Sequence, residues 1–168
     1  DRAERAAEHG QSIVGLTDRD GLYGAVRWML ACQSAGISPV LGVDLAMEET
    51  SPVTGTGRGA LRGAESPRRS PAHGGTWLDE DRPRVLLLAA DARGWASLCR
   101  LVSAAHTGPH AERGRPWLTW AALREHSEGI VALLTADSEV GRLFTSQRIH
   151  RAAGVVRRPR ARTRATSS

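Results

Sequence analysis

The sequence predicts an α/β fold in which short strands alternate with amphipathic helices, and three observations carry that reading. Ser12–Asp44 runs from a short apolar segment through an Asp-rich turn and an amphipathic stretch to a second apolar segment ending on a carboxylate. That is the pattern of a strand–loop–helix–strand unit. The same alternation resumes at Val85 and continues to Phe144. At 168 residues and 40% hydrophobic content, the chain is long enough for one domain with a core and too short for two full ones. The order strand, helix, strand, insertion, strand, helix, helix, strand, helix points to a parallel arrangement. In such folds chemistry gathers at the carboxyl ends of the strands.

Taken in order, residues 2–9 alternate charges with Ala3, Ala6 and Ala7 and read as a helix closed by Gly10. Ile13–Thr17 is expected to be a short buried strand. Asp20 is a good N-cap for a helix from about Leu22 to Ala35, with Leu22, Val26, Met29 and Leu30 on its apolar side. Gly36 ends that helix and Pro39 opens a strand over Val40–Ala46. Further along, Val85–Ala89 reads as a buried strand and Asp91 as the N-cap of a helix to Ala105 carrying Trp95, Leu98, Cys99 and Val102 at helical spacing. His106–Pro116 reads as loop, Trp120–His126 as a short helix, Ile130–Leu134 as a strand and Ser138–Phe144 as a last helix.

Two stretches differ in composition. Residues 48–83 mix Gly, Ser, Pro, Thr and Arg, with almost nothing apolar before Trp77-Leu78, and read as a disordered surface insertion. Residues 146–168 read as an Arg-rich disordered tail. All 23 basic residues are Arg, seven of them at 148, 151, 157, 158, 160, 162 and 164. Residues 1–147 therefore carry sixteen Arg against 18 acidic residues, so the body is mildly acidic and the net charge of +5 resides in the tail. Any polyanion affinity is expected from that tail alone. Cys32 and Cys99 form no metal or redox motif and read as reduced, partly buried residues of a cytoplasmic protein. The longest apolar run, Val85–Ala90, is far too short to span a bilayer, so no membrane partner is expected.

Asp18, Asp20 and Asp44 form the best carboxylate cluster, because they lie at the ends of two strands expected to be neighbours. Such oxygens suit a hard divalent cation. The competing expectation is that Asp18 and Asp20 shape a turn and cap a helix, with Arg19 between them as a local counter-charge. His106 and His110 have i, i+4 spacing, but Gly108 and Pro109 intervene, so helical metal-ligand geometry is not expected. Trp95 reads as core, and Trp117 and Trp120 as residues that pin a loop to the body rather than base-stacking platforms.

The blocks Leu16-Thr-Asp-Arg-Asp-Gly-Leu-Tyr-Gly-Ala-Val-Arg and Gly36-Ile-Ser-Pro-Val-Leu-Gly-Val-Asp resemble the amino-terminal PHP (polymerase and histidinol phosphatase) domain of bacterial C-family DNA polymerase III alpha subunits, most closely the error-prone class. The blocks starting at Val85 and at Glu128 resemble that domain's next strand–helix units. The resemblance covers roughly residues 1–145 and implies an α/β fold of a particular kind, an incomplete distorted (β/α) barrel of PHP type with its first strand missing. The implied segmentation is 1–47 and 84–145 as PHP-like β/α segments, with 48–83 and 146–168 as insertion and tail.

Intact members of the family hold divalent metal (Mn, Zn or Mg) at the strand ends, for phosphoester hydrolysis or proofreading. Here the positions corresponding to the family's ligands are altered. The Thr-Asp-His position reads Thr17-Asp18-Arg19, the strand-ending Glu is Asp44, the next His is Arg84, and the later Cys is Asp137. The resemblance thus leaves Asp18, Asp44 and Asp137 as vestigial metal positions, with no catalytic residue, no cofactor-binding residue and no cofactor expected in this fragment. Arg cannot replace His as a ligand, since it offers no lone pair. The implied function is that of a truncated, metal-deficient PHP domain, inactive by itself and lacking the polymerase catalytic domain. Its parent is a nucleotidyltransferase acting in DNA replication or translesion repair. The implied partners are the remainder of the alpha subunit and, through the parent, DNA. Alternatives are a stand-alone PHP-type metal-dependent phosphoesterase and an Arg-tail nucleic-acid-binding fragment. The Arg/Ala/Thr/Pro/Ser run of the tail is also what a frameshift in GC-rich DNA would produce.

Overall fold

A computed structural model describes residues 2–50, 82–111 and 114–145. The expected insertion (all but its ends) and the expected tail (146–168) lie outside the described residues. The element order is α1 (Arg2–Glu8), β1 (Ile13–Arg19), α2 (Ala25–Ser34), β2 (Ser38–Met47), β3 (Arg84–Ala89), α3 (Ala92–Thr107), β4 (Trp117–Leu118), α4 (Trp120–Glu125), β5 (Ile130–Leu133) and α5 (Glu139–Thr145). The alternation read from the sequence is therefore present, with β4 added.

The strands form one five-stranded open sheet in the order β1-β2-β3-β5, with β4 pairing the end of β2. Strands β1 and β2 are parallel, but β3 is antiparallel to both β2 and β5. This corrects the expectation of a parallel arrangement. The reason is the route between β2 and β3. Ala46 faces Arg84 in the register, and the Met47 amide donates to the Pro83 carbonyl at 2.8 Å. The chain leaves β2 and re-enters β3 at the same end of the sheet. The mixed, unclosed sheet with flanking helices is an incomplete barrel of the expected type.

The core lies on one face of this sheet. Val43, Leu45 and Met47 of β2 and Val85 and Leu87 of β3 pack beneath Leu98, Leu101 and Ala105 of α3, with Leu118 and Leu123 closing the end. Each fully buried leucine contributes about 2 kcal/mol by removing its apolar surface from water. Helix α3 begins as expected, with the Asp91 carboxylate accepting from the Gly94 amide at 2.8 Å. Gly94 is required there because a Cβ would collide with the Gly129 carbonyl, and Gly129 itself adopts φ +67°. A second cluster seats α1 on α2 through Ala3, Ala6, Cys32 and Ile37.

Four further expectations are corrected. Strand β1 is not buried: Ile13 is 61% exposed and exposed residues alternate with half-buried ones, as expected of an edge strand. Helix α2 starts at Ala25, with Gly24 at its N-cap and no side-chain cap, so Asp20 does not serve it. Its expected apolar side is largely in solvent, with Val26 at 65% and Leu30 at 60% exposure. Of the two cysteines, Cys32 is fully buried but Cys99 is exposed. At the start of the expected insertion, Trp120 donates to Glu48 through its amide and its indole, and the Thr50 hydroxyl donates to Glu139. Among the described residues no helix is long and apolar enough to cross a membrane.

Candidate functional site

The candidate site lies where β1 and β2 end and β3 begins. Side chains alternate between the two faces of a strand, so the register sorts the candidates. Arg19 pairs with Asp44, and Asp44 shares its face with Ala46, the partner of Arg84. Arg19, Asp44 and Arg84 therefore project from the face opposite the α3 core. Asp18 pairs with Val43 and lies on the core face, toward α2. There its Oδ2 accepts from the Gly24 amide at 2.6 Å, ordering the chain before α2. Asp137 is distant from both in role. Its carbonyl accepts from the Arg84 amide at 3.0 Å and from Arg142 Nε at 3.1 Å, and its residue is exposed. The cap that follows it comes from Ser138, whose Oγ accepts from the Gly141 amide. The structure thus brings Asp44 together with Arg19, Asp20 and Arg84, and not with Asp18 or Asp137.

The centre of the cluster is Arg84, whose side chain is only 6% exposed. Its Nε donates to Asp44 Oδ1 at 2.9 Å, and its Nη2 donates to Asp20 Oδ1 at 2.7 Å and to the Asp44 carbonyl at 2.8 Å. A single guanidinium therefore joins the turn after β1, the end of β2 and the start of β3. Arg19 is a looser partner, with Nε 3.7 Å from Asp20 Oδ2. Its Nε and Nη2 are enclosed and make no hydrogen bond. Two guanidiniums thus face two carboxylates. Asp20 is further constrained through its backbone. It adopts φ +58°, its amide donates to the Asp44 carbonyl at 2.9 Å, and its own carbonyl accepts from His106 Nε2 at 2.7 Å.

These donors do not fit a divalent metal centre. Guanidiniums have no lone pair to offer, and the carboxylates that could ligate already spend their charge on Arg84. A cation would have to displace a nearly buried positive group. Among the described residues no three His, Cys, Asp or Glu side chains gather at one point. His106 and His110 diverge: the first holds the Asp20 turn, while the second stacks on Trp117 at 5.6 Å between ring centroids. The Arg82 guanidinium also lies 4.3 Å from the Trp117 ring centroid, so Trp117 is engaged by both a ring and a cation. Trp120 is tied to Glu48 by its indole and its amide. The expectation that these tryptophans pin a loop matches their contacts. Sequence reasoning named Arg84 as a lost ligand but did not pair it with Asp20 and Asp44. Those partners are 64 and 40 residues away, and only the antiparallel β2–β3 register would have located them.

Comparisons with known proteins bear on the same region. A family model described as PHP domain matches residues 1–163, an extension beyond the expected limit of 145. The DNA polymerase III subunit alpha of Caulobacter vibrioides is 32% identical over 142 residues, covering 84% of this chain and 10% of the relative. The error-prone DNA polymerase of Mycobacterium bovis is 33% identical over 132 residues, covering 79% and 10%. That of Symbiobacterium thermophilum is 28% identical over 173 residues, covering 94% and 13%. The chain spans about a tenth of the length of these relatives. A match across nearly the whole chain, on a mixed sheet with its polar cluster at the strand ends, means that the chain belongs to the PHP domain family.

Proposed function

We propose that this chain is a PHP domain that has exchanged metal-dependent phosphoester chemistry for an internal ion-pair network, and that it serves as a structural platform in a DNA polymerase III alpha subunit of the error-prone type. On this reading the parent carries out template-directed DNA synthesis in the cytoplasm, in replication or translesion repair. The platform's partners are the rest of that subunit and, through it, DNA. The observation that carries the reading is Arg84. A guanidinium bonded to both Asp20 and Asp44 supplies the positive charge that the carboxylates require, and it does so without an open coordination position. Asp20 and Asp44 are held as acceptors, and His106 spends Nε2 on a carbonyl.

The test is a phosphoester hydrolysis assay on the purified chain, with Mn2+ or Zn2+ supplied in excess and the bound metal measured in parallel. The expected result is no turnover above buffer and no stoichiometric metal. Turnover that tracks tightly bound Mn2+ or Zn2+ would instead make the chain a metal-dependent phosphoesterase.

A further inference from the structure

Helices α2 and α3 lie over the side of the sheet that carries Leu41, Val43 and Leu45. The register places Ile13 of β1, Val40 of β2, Leu86 and Leu88 of β3 and Val131 and Leu133 of β5 on the opposite side. Ile13, Val131 and Leu133 are 61%, 44% and 43% exposed, and Val40, Leu86 and Leu88 are half-buried. These six side chains form one aliphatic surface that runs from the β1 edge to the β5 edge. A sheet face that meets water ordinarily carries polar residues at these positions. A contiguous apolar surface of this kind marks an interaction site.

We propose that this face is the contact surface of a homodimer, in which two copies of the chain stack sheet on sheet about a two-fold axis. Two-fold contact sets a surface against itself, so a face with a net charge would repel its copy. The aliphatic part here carries no charged side chain. At the strand-end rim of the same face, the Arg19 and Arg84 guanidiniums are balanced by the Asp20 and Asp44 carboxylates. The face therefore matches a copy of itself in charge as well as in polarity. Its size fits a weak dimer. Four strands of about five residues give a face of roughly 19 by 17 Å. Stacking two such faces buries about 1,000 Å² in total, at the lower end for specific association. The dissociation constant expected from so small an interface is on the order of 10–100 µM. The surface is one that the functional reading leaves unused, and its pairing does not depend on the loss of metal chemistry.

The experiment is sedimentation equilibrium of the full chain under reducing conditions. The parent is expected to be monomeric near about 1 µM and to form a reversible dimer as its concentration rises toward about 200 µM. Ile13→Glu and Val131→Glu lie at opposite edges of the face and set a charge against its copy. Each is expected to weaken the dimer by at least about tenfold. Leu30→Glu, on the exposed side of α2 and away from this face, is expected to leave the dimer unchanged, which separates specific pairing from general stickiness. A Glu variant that shows no cooperative thermal transition is replaced by Thr at the same position. Thr suits a strand and should weaken the dimer by at least about threefold. The proposal is overturned by a parent that stays monomeric at the highest concentration or grows past the dimer. It is equally overturned by a folded Ile13 or Val131 variant that associates like the parent, or by loss of the dimer in Leu30→Glu.

Discussion

The units β1–α2 and β3–α3 are built from the same sequence pattern, an apolar strand, an aspartate and an amphipathic helix, yet they differ at each step. In β3–α3 the aspartate caps the helix, as Asp91 does for Gly94, and the apolar stripe with Leu98 and Leu101 is buried. In β1–α2 Asp20 is taken by Arg84, Asp18 binds the Gly24 amide in its place, and Val26 and Leu30 remain in solvent. Helix α3 sits over the middle of the sheet, where β2 and β3 supply a two-strand apolar floor. Helix α2 sits toward the β1 side of the sheet, over β2 and the edge strand β1. Between them lies an apolar groove of about 540 Å³ lined by Met29, Leu41, Ala89 and Trp95. A local signal thus specifies an element, but its neighbours decide which face is buried and which cap is used.

The largest expected contrast is between leucines. Leu98→Ala, in the enclosed core, should cost about 3 kcal/mol in a denaturation experiment. Leu30→Ala, on the exposed side of α2, should stay within about 0.5 kcal/mol. A comparable loss at Leu30 would mean that α2 is covered in solution.

One substitution at the two aspartates sharpens the comparison. Asp91→Asn should change stability by only a few tenths of a kcal/mol (about 0.3), because Asn caps as well as Asp. Asp20→Asn keeps a residue that tolerates left-handed backbone but takes a charge from Arg84. It should cost about 1–2 kcal/mol. Equal effects at both positions in matched urea titrations would show that Asp20 is a cap after all.

The cysteines supply the smallest contrast. Burial pushes the Cys32 thiol up from its ordinary value, while Cys99 is exposed. A soluble maleimide at neutral pH should label Cys99 quickly and Cys32 only after unfolding. Since the folded state holds the Cys32 proton more tightly than the unfolded state, this group's contribution is fully present below the ordinary thiol range. It is lost as pH rises above that range. Rapid labelling of both thiols in the folded chain would contradict the packing of α1 on α2.

Much of the fold was legible because periods of 2 and 3.6 are local properties. The strands at 13, 38, 84 and 130 and the Asp91 cap follow from them. Strand direction was not legible. It depends on where the chain from 48 to 83 returns, and only the Ala46–Arg84 register shows that it returns to the same end. The candidate site was legible in part. Arg19, Asp44 and Arg84 were recognisable as altered family positions, and the structure gathers them on one face. Of the expected cluster of Asp18, Asp20 and Asp44, Asp18 lies on the opposite face of the sheet from Asp44 and binds the Gly24 amide, while Asp20, just past the end of β1, meets Asp44 through Arg84. The bonds of Arg84 to both carboxylates depend on a long-range register that no local pattern contains.

The central claim is that the Arg84 guanidinium fills the charge requirement of the strand-end rim. The most direct test is elemental analysis of the full chain after incubation with excess Mn2+ and Zn2+ and removal of free metal. The predicted result is far less than one metal ion per chain. One tightly held Mn2+ or Zn2+ per chain, lost when Asp44 is replaced by Asn, would contradict it.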